Sequence, residues 1–266
     1  MAYANGKYIN FVDSDDWLEL DALEKLHNLA TKNDSDIVVC DYYEIYNNDK
    51  IKKNGLQNFS ENININYILS NPSPWNKLIK LELLKNNNIN FLENYIYEDL
   101  ATMPILGCYA NNIAYIKEPL YNYVIRTGST MRQSIYNKKI ESIFIAIEHL
   151  DKQFKNRNFS ETYKQELEFL NIYHLLYAAS GRFLEYEEGK QNLTKIIKTI
   201  KNNYPNWKKN RYYKQQNTIF KVTCNIFYYN FPYPEKTVLA SPLVFPPDVS
   251  RIFRIRNDIY TNYTRY

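Results

Sequence analysis

Gly6-Lys7-Tyr8-Ile9-Asn10-Phe11-Val12-Asp13-Ser14-Asp15-Asp16-Trp17 runs from a glycine through a short apolar stretch into three carboxylates. Carboxylate oxygens are hard ligands suited to Mg²⁺ or Mn²⁺, and these ions keep coordination positions open for substrate phosphates. The cluster therefore reads as a divalent-cation site whose natural co-ligand is a pyrophosphate. Ile9 to Val12 has the β-branched and aromatic make-up of a buried parallel strand. Downstream, Asp16 and Glu19 have the spacing of a capping box, and Leu20, Leu23, Leu26, Leu29 and Ala30 recur at helical intervals up to Asn33. Asp36-Ile37-Val38-Val39-Cys40-Asp41-Tyr42 then reads as a second buried strand. Strand, helix, strand is the signature of an α/β fold.

Further along, the polar stretch from Asn47 to Ser60 predicts a hairpin or mobile loop, and Ile63 to Leu69 a short helix stopped by Pro72-Ser73-Pro74. Trp75 to Lys80 is expected to be extended and Leu81 to Asn86 helical. Tyr97-Glu98-Asp99-Leu100 leads into an apolar helix ending near Ala110 or Asn111. Because proline is tolerated in a first turn, Pro104 places the start of that helix just after the acidic pair. Ile113 to Val124 holds two strand-like runs separated by Glu118-Pro119. From about Tyr136 the apolar period becomes helical: Ile140, Ile143, Phe144, Ile147 and Leu150, then Leu167 to Ala179, then Leu193, Ile196, Ile197 and Ile200. Past Pro205 the signal weakens, and irregular structure is expected from Phe231 to Pro247 before a basic aromatic tail. The expected organisation is an α/β region over 1–135 and a mainly helical region over 136–266.

With 266 residues the chain can bury a substantial core without covalent staples. Cys40, Cys108 and Cys224 are odd in number and far apart, which argues against a disulfide framework or a zinc site and for a reducing cytoplasm. Neither a secretory leader nor an apolar run of membrane-spanning length is evident. A net charge of +4, with acids and bases interspersed, makes no demand for nucleic acid. His27, His149 and His174 lack a second ligand at metal spacing and read as surface or satisfied side chains.

The segment from Ala4 to Leu18 resembles the end of the nucleotide-binding half of family two glycosyltransferases of the GT-A fold, in which a strand delivers an Asp-x-Asp motif. Three further stretches are similar to family motifs and follow in family order: Trp75-Asn76-Lys77-Leu78, the Glu98-Asp99 pair at a helix start, and Tyr121 to Ser129. The resemblance covers roughly residues 1 to 135 and implies a partial GT-A nucleotide-diphospho-sugar transferase sheet followed by a mainly helical C-terminal region. It also implies truncation at the N-terminus, because Met1 falls where the family's nucleoside-holding segment should be finishing.

By that resemblance Asp15 binds the metal, Mn²⁺ or Mg²⁺, and Asp13 helps hold the ribose or the metal shell. Asp16 would lie near the donor sugar, or else cap the helix expected near Trp17. Asp99 would be the general base for an inverting displacement, with Glu98 orienting it, although acids in a first helical turn are also ordinary macrodipole partners. Trp75 is either a stacking floor for an acceptor sugar or a core plug. Arg126 and Lys77 are either diphosphate partners or solvated cations. The implied activity is transfer of a sugar from a nucleotide-sugar donor to a glycan or lipid-linked acceptor in the synthesis of bacterial surface polysaccharide. It would take place in the cytoplasm, with the inner face of the membrane as the alternative location. The residues Arg251 to Tyr266 suit a polar domain edge or a peripheral membrane contact. A noncatalytic interaction module is the competing reading, with RNA binding a weaker third.

Overall fold

The structure, a computed structural model, describes residues 3–46, 49–125 and 136–230. Its first half is a six-stranded mixed sheet built from β1 (Tyr8–Asn10), β2 (Trp17–Leu18), β3 (Ile37–Tyr46), β4 (Asp49–Lys53), β5 (Lys77–Lys80) and β6 (Ile113–Val124). The strand order is β1-β5-β3-β6-β2, and β4 pairs with the far end of β3. Strand β3 lies at the centre. Its residues Ile37 to Tyr42 are all buried, the pattern of a strand covered on both faces.

Helix α1 (Ala22–Asn33) covers one of those faces. Ala22, Leu26 and Ala30 recur at helical spacing and pack on Val38 and Cys40 of β3, Leu78 of β5 and Ala114 and Leu120 of β6. Helix α2 (Ile63–Leu69) starts at Asn62, whose side chain accepts from the Asn64 N–H, and α3 (Leu81–Asn86) follows β5 directly. Helix α4 (Glu98–Tyr109) packs on α2. Gly107 is required there, because a Cβ would lie 2.7 Å from both Ile68 and Tyr67.

Several expectations are corrected. The opening strand is neither parallel nor as long as Ile9 to Val12 suggested. It pairs antiparallel with β5 alone and is half-buried. The capping box does not form: Trp17–Leu18 are drawn into a ladder with Asn122 and Tyr121, so α1 begins only at Ala22. Pro104 lies in the interior of α4 and not in its first turn, since the helix starts at Glu98 itself. The two runs around Glu118-Pro119 are one twelve-residue strand.

That strand carries a bulge. Ile113 stands opposite Ile37, but Tyr121 stands opposite Tyr42, so β6 takes eight steps where β3 takes five. The surplus residues reverse the parity between the strands and bring Tyr121 and Tyr123 level with Tyr42 and Glu44. The Asp41 carboxylate, 1% exposed beside this irregularity, accepts from the Gly55 N–H at 2.9 Å and from the Tyr115 hydroxyl, and pairs with Lys52 at 3.1 Å. A Cβ on Gly55 would come within 2.0 Å of the Cys40 carbonyl oxygen. Gly55→Ala is therefore expected to lower stability by about 1–3 kcal/mol, read as a reduced melting temperature, because backbone and not a flexible side chain has to yield.

The second half is helical, as its period predicted: α5 (Ser142–Asn156), α6 (Lys164–Asn171), α7 (Ser180–Phe183) and α8 (Lys190–Asn203). Residues Ile172–Ala179 join α6 to α7 through π-helical turns. Regular helix continues beyond Pro205, where the sequence signal faded, in α9 (Arg211–Gln215) and α10 (Thr218–Asn230). Aromatic contacts hold this part together. Phe220 stacks on Tyr173 at 6.0 Å and contacts Tyr177 at 4.5 Å, while Phe169 meets Tyr212 at 5.8 Å. Helix α5 packs on α4, which carries the acidic pair, and α6 packs on α2. Among the described residues no helix is long and apolar enough to cross a membrane.

Candidate active site

Strand β1 delivers Asp13, Ser14, Asp15 and Asp16 in a turn closed by a bond from the Asp16 N–H to the Asp13 carbonyl at 3.1 Å. Asp16 does not cap a helix. Its Oδ2 accepts from the Tyr121 hydroxyl at 2.7 Å and its Oδ1 from the Val124 N–H at 2.8 Å. The same hydroxyl accepts from the Asp13 N–H at 3.1 Å, so one tyrosine fixes both ends of the acidic turn. Burial, opposed by these two hydrogen bonds and reinforced by the charges of Asp15 and Asp13, raises the Asp16 carboxyl above its ordinary range. Asp13 is raised as well, by partial desolvation of its carboxyl and by the charge of Asp15.

Tyr121 is fully buried and stacks on Trp75 at 4.5 Å. Trp75 also stacks on Tyr123 at 5.3 Å, meets the edge of Tyr42 at 4.7 Å, and is 7% exposed. Its rings pack among three tyrosines, and it braces the side chain that braces the acidic turn.

The next two residues turn inward. The Asn76 amide donates to the Cys40 carbonyl at 2.9 Å, and its Oδ1 accepts from Lys77 Nζ at 2.7 Å. Lys77 is 1% exposed, which overturns the reading of a solvated cation or an open diphosphate partner. Burial lowers its ammonium to about 7, a shift opposed by nearby Cys40 and Asp99.

Asp99 stands at the start of α4, just after Tyr97, whose backbone is left-handed at φ 69°. Its Oδ1 accepts from the Leu100 N–H at 2.7 Å. Burial raises its carboxyl to about 6, the Leu100 bond and Lys77 pull it down, and Glu98 pushes it up. A carboxyl so placed is ionised at neutral pH and retains enough basicity to take a proton. Glu98 is partly exposed beside it.

Asp13 and Asp15 are exposed, whereas both oxygens of Asp16 are engaged. Among the described residues no group of three or more His, Cys, Asp or Glu side chains is gathered as a metal cage. The turn nevertheless fits a Mg²⁺ or Mn²⁺ ion that takes one or two carboxylates and completes its shell with phosphates and water, because a cation would relieve the repulsion between Asp13 and Asp15. Arg126 lies outside the described residues. So do the rest of the expected Tyr121 to Ser129 stretch beyond Ile125 and the basic tail. Tyr121 and Asn76 carry structural roles that sequence reasoning did not assign. The alternation Tyr121-x-Tyr123, at strand period, was the available signal.

A mixed sheet with this acidic turn, followed by helices, is the GT-A fold of nucleotide-sugar transferases. It superposes on S. aureus TarS 1–349 in complex with UDP with a TM-score of 0.57 at 16% identity, covering 90% of this chain and 72% of that one. For TarS 1–349 in complex with UDP-GlcNAc the TM-score is 0.53 at 19% identity, covering 75% and 59%. Residues 1–91 match the family described as Glycosyl transferase family 2. The putative glycosyltransferase EpsH of Bacillus subtilis is 28% identical over 185 residues, which are 64% of this chain and 52% of that protein. Glycosyltransferase GlyG of Streptococcus pneumoniae is 28% identical over 196 residues, 64% of each chain. The cholesterol galactosyltransferase of Borreliella burgdorferi is 26% identical over 236 residues, 76% of this chain and 63% of that one. The chain thus spans between half and two thirds of the length of these curated relatives.

Proposed function

We propose that this chain carries the metal and base side of an inverting glycosyltransferase, which moves a sugar from a nucleotide-sugar donor to a glycan or lipid-linked acceptor. Asp15 and Asp13 would hold Mn²⁺ or Mg²⁺, with Asp16 and Arg126 toward the donor. The ion, when bound, supplies positive charge that stabilises the departing nucleoside diphosphate. The protein's own part is to keep the acidic turn in place through Tyr121 and Val124 and to present Asp99 as the base that takes the acceptor's proton, with Glu98 orienting it. Donors of the uridine diphosphate class are the first to test, in keeping with the ligands bound by TarS. The work would take place at the cytoplasmic side of the membrane.

The observation that supports this reading most directly is the anchoring of the acidic turn, where the Tyr121 hydroxyl and the Val124 N–H hold the Asp16 carboxylate while Asp13 and Asp15 stand exposed beside it. Calorimetry with uridine diphosphate sugars and Mn²⁺ provides the test. Saturable binding is expected, weakened at least about 10-fold by chelator or by Asp15→Ala, the scale of damage to a metal's ligand sphere. A folded protein that binds no nucleotide-sugar would favour the interaction-module reading instead.

A further inference from the structure

We propose that helices α8 to α10 form a docking surface for an anionic lipid bilayer, with the outer side of α10 lying against the headgroups. Residues 190 to 230 hold eight lysines, one arginine and not a single aspartate or glutamate, although the whole chain carries only +4, so its remainder is net negative. Most of these cations stand on the surface. On α8 the apolar Leu193, Ile196, Ile197 and Ile200 are buried, while Lys195, Lys198 and Lys201 are exposed. Acids from outside the stretch take up two of the nine, Glu187 with Lys190 and Glu166 with Arg211 at 2.6 Å. The surface shares no residue with the acidic turn, and its test reads no sugar transfer.

Helix α10 is apolar on both sides. Phe220, Cys224 and Phe227 are buried in the bundle. Ile219, Val222, Ile226 and Tyr229 recur at three- and four-residue spacing on the opposite side, where Ile219 is 49% exposed, Val222 40% and Tyr229 63%. Lys221 is the helix's one charged residue. A helix that is apolar all round is ordinarily a buried element, so the outer row calls for a cover. The surrounding charge identifies it. Lys208 sets its ammonium 4.5 Å from the centre of the Tyr229 ring, Lys201 places one 5.6 Å from that of Tyr228, and Lys221, next to Val222, donates to the Lys214 carbonyl at 2.6 Å. Cations that draw in anionic headgroups, bordering aliphatic and aromatic side chains that enter the interface, supply the two attractions that hold a peripheral helix on a membrane. A second copy of the chain would set like charges against each other across a symmetric contact. Residues 231 to 266 are also net basic and offer no better match. RNA is bound by stacking on aromatic rings, which Ile219 and Val222 do not provide.

Co-sedimentation of the full chain with vesicles tests the surface. Binding is expected to vesicles of phosphatidylglycerol and phosphatidylcholine in equal parts, weakening with added salt and falling at least about tenfold on phosphatidylcholine alone. Ile219→Asn combined with Val222→Asn, checked for native circular dichroism, should lower the affinity at least about tenfold. Lys198→Gln combined with Lys208→Gln should lower it about fivefold for each lysine. If the first pair does not fold, Tyr229→Ser takes its place. An unchanged affinity in either folded variant overturns the proposal and assigns the attraction elsewhere, residues 231 to 266 included. A chain that binds no vesicle overturns it as well, whether it instead shows salt-sensitive binding to RNA or a dimer that the Ile219 and Val222 changes dissolve.

Discussion

Asp99→Asn is expected to lower sugar transfer by about 10²- to 10⁴-fold while nucleotide-sugar affinity stays near the native value, since a general base acts in the transition state and not in donor binding. Asparagine keeps the shape of the side chain and its bond from the Leu100 N–H, so the helix start should survive and the loss should be chemical. The pH dependence carries a sign. A base works when deprotonated, so with the carboxyl raised to about 6 the native rate should fall as pH drops through that value. A variant that retains transfer across this range would remove Asp99 from the mechanism. Glu98→Gln offers a milder counterpart: it takes away a negative neighbour, so the acid limb should move to lower pH.

Trp75→Ala is expected to cost about 3–5 kcal/mol, the range for deleting a large buried aromatic side chain. For a chain of this size that corresponds to a fall in melting temperature of about 10 °C. The deletion would free Tyr121 from its stacking partner, and Tyr121 in turn holds Asp13 and Asp16. Donor binding should therefore weaken along with stability. The stacking-floor alternative makes the opposite forecast, with a raised KM for acceptor at an unchanged melting temperature. Calorimetric melting of the variant decides between the two.

The α/β character, α2, α3 and the three main helices of the second half were legible because each is encoded by local periodicity. So was the acidic turn, which needs only a strand and four consecutive residues. The fate of Asp16 was not. Its spacing from Glu19 satisfies a capping box, but Tyr121 and Val124, more than a hundred residues away, offer both carboxylate oxygens better partners, and Trp17–Leu18 gain a ladder that a helix start would forfeit. Lys77 read as either a diphosphate partner or a solvated cation because nothing in a linear reading reveals that Ser73, Asn71 and Asn76 fold around its ammonium. The parallel reading of β1 failed because its apolar residues match a buried strand in either direction, and pairing with β5 decides the direction. Helices α9 and α10 are short or flanked by proline and polar runs, and their burial comes from aromatic contacts across the bundle and not from an unbroken stripe.

The irregularity between Cys40 and Tyr42 gives β6 a constraint on length that outranks its composition. Since side chains alternate with a period of two, losing a single residue between Ile116 and Tyr121 would swing the tyrosine toward α1 and leave the acidic turn without its hydroxyl anchor. Point changes at Lys117 or Glu118, which lie on the surface, should pass almost unnoticed, whereas a one-codon deletion there would disconnect the turn from the sheet.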